Sequence, residues 1–142
     1  MTAIREQILA WIKAQHVALA SQPEVERDPS GDPGRYPHYG IVDRGQTVIE
    51  GEAGRIRYEL TVHIEGYVEG GEGDAAAAAR NELYAASIGI MMADPPIGAL
   101  AEIVEEGRLT CATAELASRR RLGFVAEFTI QYATRRGDPA QI

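Results

Sequence analysis

Between residues 56 and 64, Ile56, Tyr58, Leu60, Val62 and Ile64 alternate with Arg57, Glu59, Thr61 and His63, and Glu65 follows. A period of two predicts a strand with one covered face and one wet face. The segment Leu122 to Thr134 repeats the pattern, with Phe124, Ala126, Phe128, Ile130 and Tyr132 on one side and Glu127, Thr129 and Gln131 on the other. Elsewhere the spacing is helical. Ile4, Ile8, Trp11, Ile12 and Leu19 predict a helix over Thr2–Leu19, with Arg5, Glu6, Lys13 and Gln15 facing away, Thr2 near the cap and Glu6 in the first turn. An alanine-rich run predicts a second helix over Ala75–Ala93, capped by Asp74 and stopped by Asp94, Pro95 and Pro96. Its expected buried stripe is Ala76, Ala79, Leu83, Ser87, Ile90 and Met91.

Weaker patterns fill the rest. Gly40–Glu50, with Val42, Val48 and Ile49, reads as a strand or hairpin arm. Ile97–Glu106 reads as a short helix with Leu100, Ile103 and Val104 inward and Gly107 as its left-handed cap. Leu109–Ala117 is expected as a strand and Ser118–Arg121 as a turn. From 23 to 39, Pro23, Pro29, Pro33 and Pro37 mix with Gly31 and Gly34, which predicts a long Pro/Gly loop. Residues 135–142 are expected to form a flexible C-terminal tail. Strands with one wet face and short connections imply a mainly antiparallel mixed sheet, with helices packed on its apolar face. The expected class is therefore α/β (α+β), a two-layer sandwich in one domain over 1–142.

The composition narrows the function classes. Hydrophobic residues make up 45% of 142 residues, enough for an unstapled core, and a single cysteine rules out an internal disulfide. A net charge of −7 repels phosphate backbones and anionic lipid, so neither nucleic-acid recognition over a broad surface nor membrane docking is expected. No stretch reaches the roughly 20 apolar residues of a membrane span. Arg5, Glu6 and Lys13 interrupt the first apolar run, unlike a signal peptide, so the cytoplasm or a particle assembled there is the expected location.

Catalytic patterns are sparse. His16, His38 and His63 share no short ligand spacing, so no metal or other cofactor is expected; His63 reads as a surface histidine among Glu59, Thr61 and Glu65. No G-x-S-x-G elbow surrounds Ser21, Ser30, Ser87 or Ser118, and Cys111 is expected to be a buried, inert thiol. The Glu-Gly-Gly-Glu-Gly-Asp run at 69–74 lacks the lysine and hydroxyl of a phosphate loop, and its own acids would repel phosphate; it reads as a strand-to-helix turn. Glu102, Glu105 and Glu106 read as a solvated helix face. No catalytic residue is assigned. Contact chemistry is better represented. The loop carries Arg35, Tyr36, His38 and Tyr39, the wet sheet face carries Glu59, and Arg119, Arg120, Arg121, Arg135 and Arg136 form the basic clusters. The arginine triplet at the expected turn is either solvated or paired with carboxylates of a neighbouring subunit.

The order of elements resembles the tail terminator (minor tail, or tail completion) proteins of long-tailed bacteriophages. The opening helix with Ile4, Ile8, Leu9 and Ile12 is followed by the Pro-rich loop and the strand running from Arg55 to Ile64. The Ala-rich helix from Asp74, an acidic helix from Ile97 and the closing strand Phe124–Tyr132 come next, and Thr-Arg-Arg-Gly-Asp-Pro ends the pattern. The resemblance spans nearly the whole chain. The loop from Gln22 to Gly40 departs from the usual pattern, which leaves the partner surface open. The resemblance implies a non-catalytic homo-oligomeric ring, a hexamer, in the virion neck, assembled in the bacterial host cytoplasm. It implies the tail tube protein and the head–tail connector protein as partners: the ring caps the tube, stops its polymerisation and offers the connector a docking surface. Alternatives are a related neck or head–tail joining protein, or a small-ligand-binding or hydrolytic α/β domain with a pocket around Tyr58, Tyr84, Tyr132 and His63.

Overall fold

The computed structural model of the chain describes residues 1–70, 73–116 and 119–142, the side chains of 114–116 and 119–120 excepted. The elements run α1 (Ile4–Val17), β1 (Glu24–Arg27), β2 (His38–Gly51), β3 (Arg55–Glu69), α2 (Gly73–Met91), a 3-10 turn (Pro96–Ala99), β4 (Ile103–Leu116) and β5 (Arg119–Arg135). Among the described residues five strands form one mixed sheet in the order β1-β2-β3-β5-β4, in which β1 and β2 pair parallel and the other neighbours antiparallel. Both helices lie on the same face, giving the expected α+β two-layer sandwich.

The two strongly alternating segments form the centre. β3 and β5 pair without a register break from Arg55↔Arg135 to Glu69↔Arg121. Directly paired residues share a face, so Leu60 meets Ile130, Val62 meets Phe128 and Ile64 meets Ala126 beneath the helices. Ile8, Leu9 and Ile12 of α1 and Leu83 and Met91 of α2 close the same cluster. Bulky rings are seated opposite glycine. A Cβ on Gly66 would lie 2.2 Å from the ring of its partner Phe124, and one on Gly123 would lie 2.6 Å from the ring of Tyr67.

Helix α1 is tied to the sheet by charge as well. An extra residue in β2 between Asp43 and Gln46, with Gly45 at φ +89°, bulges the strand. At the bulge Arg5 makes a bidentate pair with Asp43, at 2.5 and 2.6 Å, and reaches Gln46 at 3.2 Å. The hydrogen bond from Arg5 holds the Asp43 carboxyl below the usual carboxylate range. The buried stripe of α1 contains His16 beside its aliphatic residues, while Trp11 is only half-buried and packs on Gly98. Its N-cap is Ala3, with no side-chain cap. On α2 the buried stripe is Ala76, Leu83, Ser87 and Met91; Ala79 is exposed and Ile90 half-buried.

Several expectations are corrected, among them the turn over Ser118–Arg121, since Arg119, Arg120 and Arg121 begin β5. The segment 23–39 is not all loop. Glu24–Arg27 forms β1, which its single apolar residue, Val25, did not signal, and His38 and Tyr39 begin β2. The short helix over 97–106 is absent. A 3-10 turn ends at Ala99, the N–H of Glu102 donates to Gln131 O at 2.8 Å, and Ile103 and Val104 already pair in β4. Their β-branched side chains suit a strand, and the apparent helical spacing with Leu100 is coincidental. Gly107 is accordingly no helix cap; it lies at a bulge of β4, against Glu127. Cys111 is exposed, on an outermost strand whose one strand neighbour among the described residues is β5. Residues 135–142, expected as a flexible tail, fold back instead. Pro139 O accepts from the N–H of Ile4 at 2.8 Å, and Gln141 O from that of Arg135 at 2.7 Å.

Leu60→Asp or Phe128→Asp is expected to abolish soluble folding, because each buries an unpaired charge. Gly66→Ala is expected to cost about 1–3 kcal/mol through overpacking against Phe124. Urea denaturation read by circular dichroism checks the latter.

Candidate assembly surface

A sheet of this order has two outer sides, and both present unpaired backbone among the described residues. On one side β4 has β5 as its only neighbour, and every residue from Glu105 to Thr113 is exposed. On the other, β1 covers β2 only from His38 to Ile41, so the outer edge from Arg44 onward has no strand beside it. Exposed apolar side chains mark both edges: Ile103 (45%) and Leu109 (41%) on β4, Val48 (62%) and Ile49 (42%) on β2. Bulges and charges are common protections of an edge, and both edges carry bulges. The stretches Leu109-Thr110-Cys111-Ala112-Thr113 and Thr47-Val48-Ile49 have no charge.

The expected contact residues are spread over several environments. Glu59 lies on the wet face, paired with Gln131 and only partly exposed. Arg135 is exposed, and Arg136 donates to Glu52 O at 3.0 Å across the β2–β3 turn. Arg35 is exposed and donates to Gln22 O. His38 and Tyr39 are not surface contacts: both are buried, Tyr39 under the helices with its hydroxyl donating to Leu83 O at 2.6 Å, His38 on the opposite face. Arg121 is also withdrawn from solvent, its guanidinium 4.7 Å from the ring centre of Tyr36. Arg119 and Arg120 begin β5, opposite Leu116 and Glu115; their side chains, and Gly71, Glu72, Ala117 and Ser118 entirely, lie outside the described residues. Glu102 sits with Glu50 around Arg57, at 3.0 and 2.6 Å. Glu105 and Glu106 belong to a strand, and Glu106 accepts from the Tyr84 hydroxyl at 3.4 Å.

The proposed aromatic pocket does not form. Tyr58 and Tyr132 stack at 5.3 Å, Tyr84 stands edge-on to Phe124, and His63 lies on the other face, 3.7 Å from Glu127. An apolar groove of about 520 Å³ opens elsewhere, between the end of α1, α2 and the 36–37 segment, lined by Leu19, Tyr36, Tyr39, Val68 and Leu83 with Glu69 and Glu82.

Beside this groove lies a polar node that sequence reading missed. His16 Nδ1 donates to Ile12 O at 2.8 Å, so its Nε2 accepts the proton of the Ser87 hydroxyl at 2.9 Å. The Tyr39 ring stands edge-on at 4.7 Å. A serine hydroxyl against an imidazole is the geometry of an activated nucleophile, but His16 and Ser87 are both fully buried, so no substrate atom reaches them in this conformation. The signal was in the sequence: His16 is four residues beyond Ile12 on the apolar stripe, and Ser87 four beyond Leu83. No protein-family model matches the chain, and no curated protein matches it.

Burial holds the His16 imidazole below its ordinary range. The unfolded chain takes up this proton near pH 6.5, where the fold does not, so stability is complete above that value and falls as the pH drops through it towards the lower folded value. Urea melts from pH 8 to pH 5 are expected to lose up to about 1.4 kcal/mol per pH unit through this group. His16→Gln is expected to remove that contribution to the slope.

Proposed function

We propose that this chain is a self-assembling structural subunit that closes into a ring, of the tail-terminator type that its order of elements resembles. The observation that carries the reading is the pair of open, unlike edges on opposite sides of one sheet. Joining β4 of one copy to the outer half of β2 of the next satisfies both edges by main-chain hydrogen bonds. Such a contact is head-to-tail, and a head-to-tail contact whose rotation closes builds a ring. In this reading the ring sits in the virion neck, stops the tail tube protein from polymerising and offers the head–tail connector a surface. The negative charge of the chain would let DNA pass without adhering.

The apolar groove favours a second reading, a binding domain for a small apolar ligand. That reading requires a ligand that raises the melting temperature of the monomer, which ring closure does not.

Size-exclusion chromatography with light scattering, and electron microscopy of purified tail tubes, test the assembly. The expected particle is several times 15.4 kDa and decorates one end of the tubes. Val48→Lys and Thr110→Lys put a charge on each edge and are expected to leave the monomer folded and abolish rings. Glu59→Lys and Thr129→Lys, on the wet face, are expected to keep the fold and show whether that face also meets a partner. A strict monomer at every concentration that never caps tubes would falsify the proposal.

A further inference from the structure

On the sheet face opposite the helices, β1 and β2 bring together three side chains that sequence spacing does not connect. Glu24 and Glu26 are two apart on a strand, so they share a face, opposite that of the buried Val25. The parallel register sets His38 directly beside Glu24. One donor atom from each of Glu24, Glu26 and His38 lies within 4.8 Å of the other two. His38 Nε2 is 3.0 Å from Glu26 Oε1 and 3.6 Å from Glu24 Oε1. We propose that Glu24, Glu26 and His38 form a binding site for a first-row divalent cation of the zinc type, which clips β1 and the 28–37 segment to the sheet.

The ligand set and spacing both suit such an ion. Zinc takes imidazole nitrogen and carboxylate oxygen at about 2.0–2.2 Å, so tetrahedral ligands stand about 3.3 Å apart. The two distances from His38 Nε2 fall on either side of that value. The two carboxyl groups already lie within hydrogen-bond reach of each other, and Glu24 and Glu26, 27% and 43% exposed, are free to rotate to the ligand spacing. Magnesium and calcium prefer all-oxygen shells, which this site does not supply.

The histidine is built into the site rather than scattered near it. Its side chain is 2% exposed, and its Nε2 points at the two carboxylates. Nδ1 has no hydrogen-bond partner among the described residues, so these carboxylates provide the ring's polar anchorage. Glu24 is held in turn by the N–H of Gly34, which donates to its Oε1 at 2.9 Å. A Cβ at Gly34 would lie 3.1 Å from Glu24 Oε2, so glycine leaves the carboxylate its room. Glu24 and Glu26 stand side by side, and among the described residues the basic side chain within 4 Å of their carboxyl oxygens is that of His38. A dication balances the charge of both carboxylates, and three protein ligands leave at least one tetrahedral position for water.

Titration of the full chain, stripped with chelator, by zinc chloride in a calorimeter tests the site. The expected result is one ion per chain, a raised melting temperature reversed by chelator, and affinity weakened by roughly 100-fold or more in Glu24→Gln and in Glu26→Gln. That exceeds the 10–100-fold cost of losing an outer-shell partner. His63→Ala, which alters the separate His63–Glu127 pair, is expected to bind normally. Imidazole nitrogen resonances of the unmutated chain give a second readout, independent of variant folding: zinc is expected to shift His38 and leave His16 and His63 in place. Absence of saturable binding up to about 1 mM zinc, binding that survives both glutamate substitutions, or a shift at His63 instead of His38 overturns the proposal. None of these outcomes depends on whether the chain forms a ring.

Discussion

The pairing of β3 with β5 fixes the rest of the molecule. Two strands, each alternating strictly, meet over fifteen consecutive residue pairs, so a slip of one residue would turn every core side chain of one strand to the wet face. The register is further locked by shape. Phe124 fits against Gly66 and Tyr67 against Gly123, one ring on each face of the sheet, and neither fit survives a displacement. With that ladder in place, the apolar stripes of α1 and α2 have one surface on which to dry, and β2 and β4 have one place each to pair.

The same arrangement creates the exposed features. β4 is an outermost strand, so Cys111 and its neighbours face solvent, and β1 is too short to cover β2 beyond Ile41. Among the described residues the sheet is thus covered by helices on one face and open along both sides.

Buried polar groups mark where elements join. Arg5 and Asp43 meet at the β2 bulge, where an extra residue turns a carboxylate towards α1. His16, Ser87 and Ile12 O join α1 to α2, with Tyr39 packed against the imidazole ring. Glu24, Glu26 and His38 join β1 to β2 on the far face. Each node links residues at least 12 positions apart, and the first two satisfy polar atoms that packing withdraws from water, whereas His38 Nδ1 in the third has no partner among the described residues.

The chain's own pattern determined the two central strands, both helices and the side of the sheet that is covered. Period and propensity are local, and at Ile56–Ile64 and Phe124–Tyr132 the local signal agreed with the long-range one. Where the signal was short or ambiguous, tertiary pairing decided. Val25 alone could not announce β1, but the open edge of β2 accepts it as a strand. Ile103 and Val104 suit a helix face or a strand equally well, and the free edge of β5 draws them into β4. The fates of His38, Tyr39, Cys111 and Arg121 turned on what lies across from them, which linear spacing does not encode. The glutamate–histidine cluster was invisible for the same reason: its members are separated by 2 and 12 residues along the chain and become neighbours only through a parallel register.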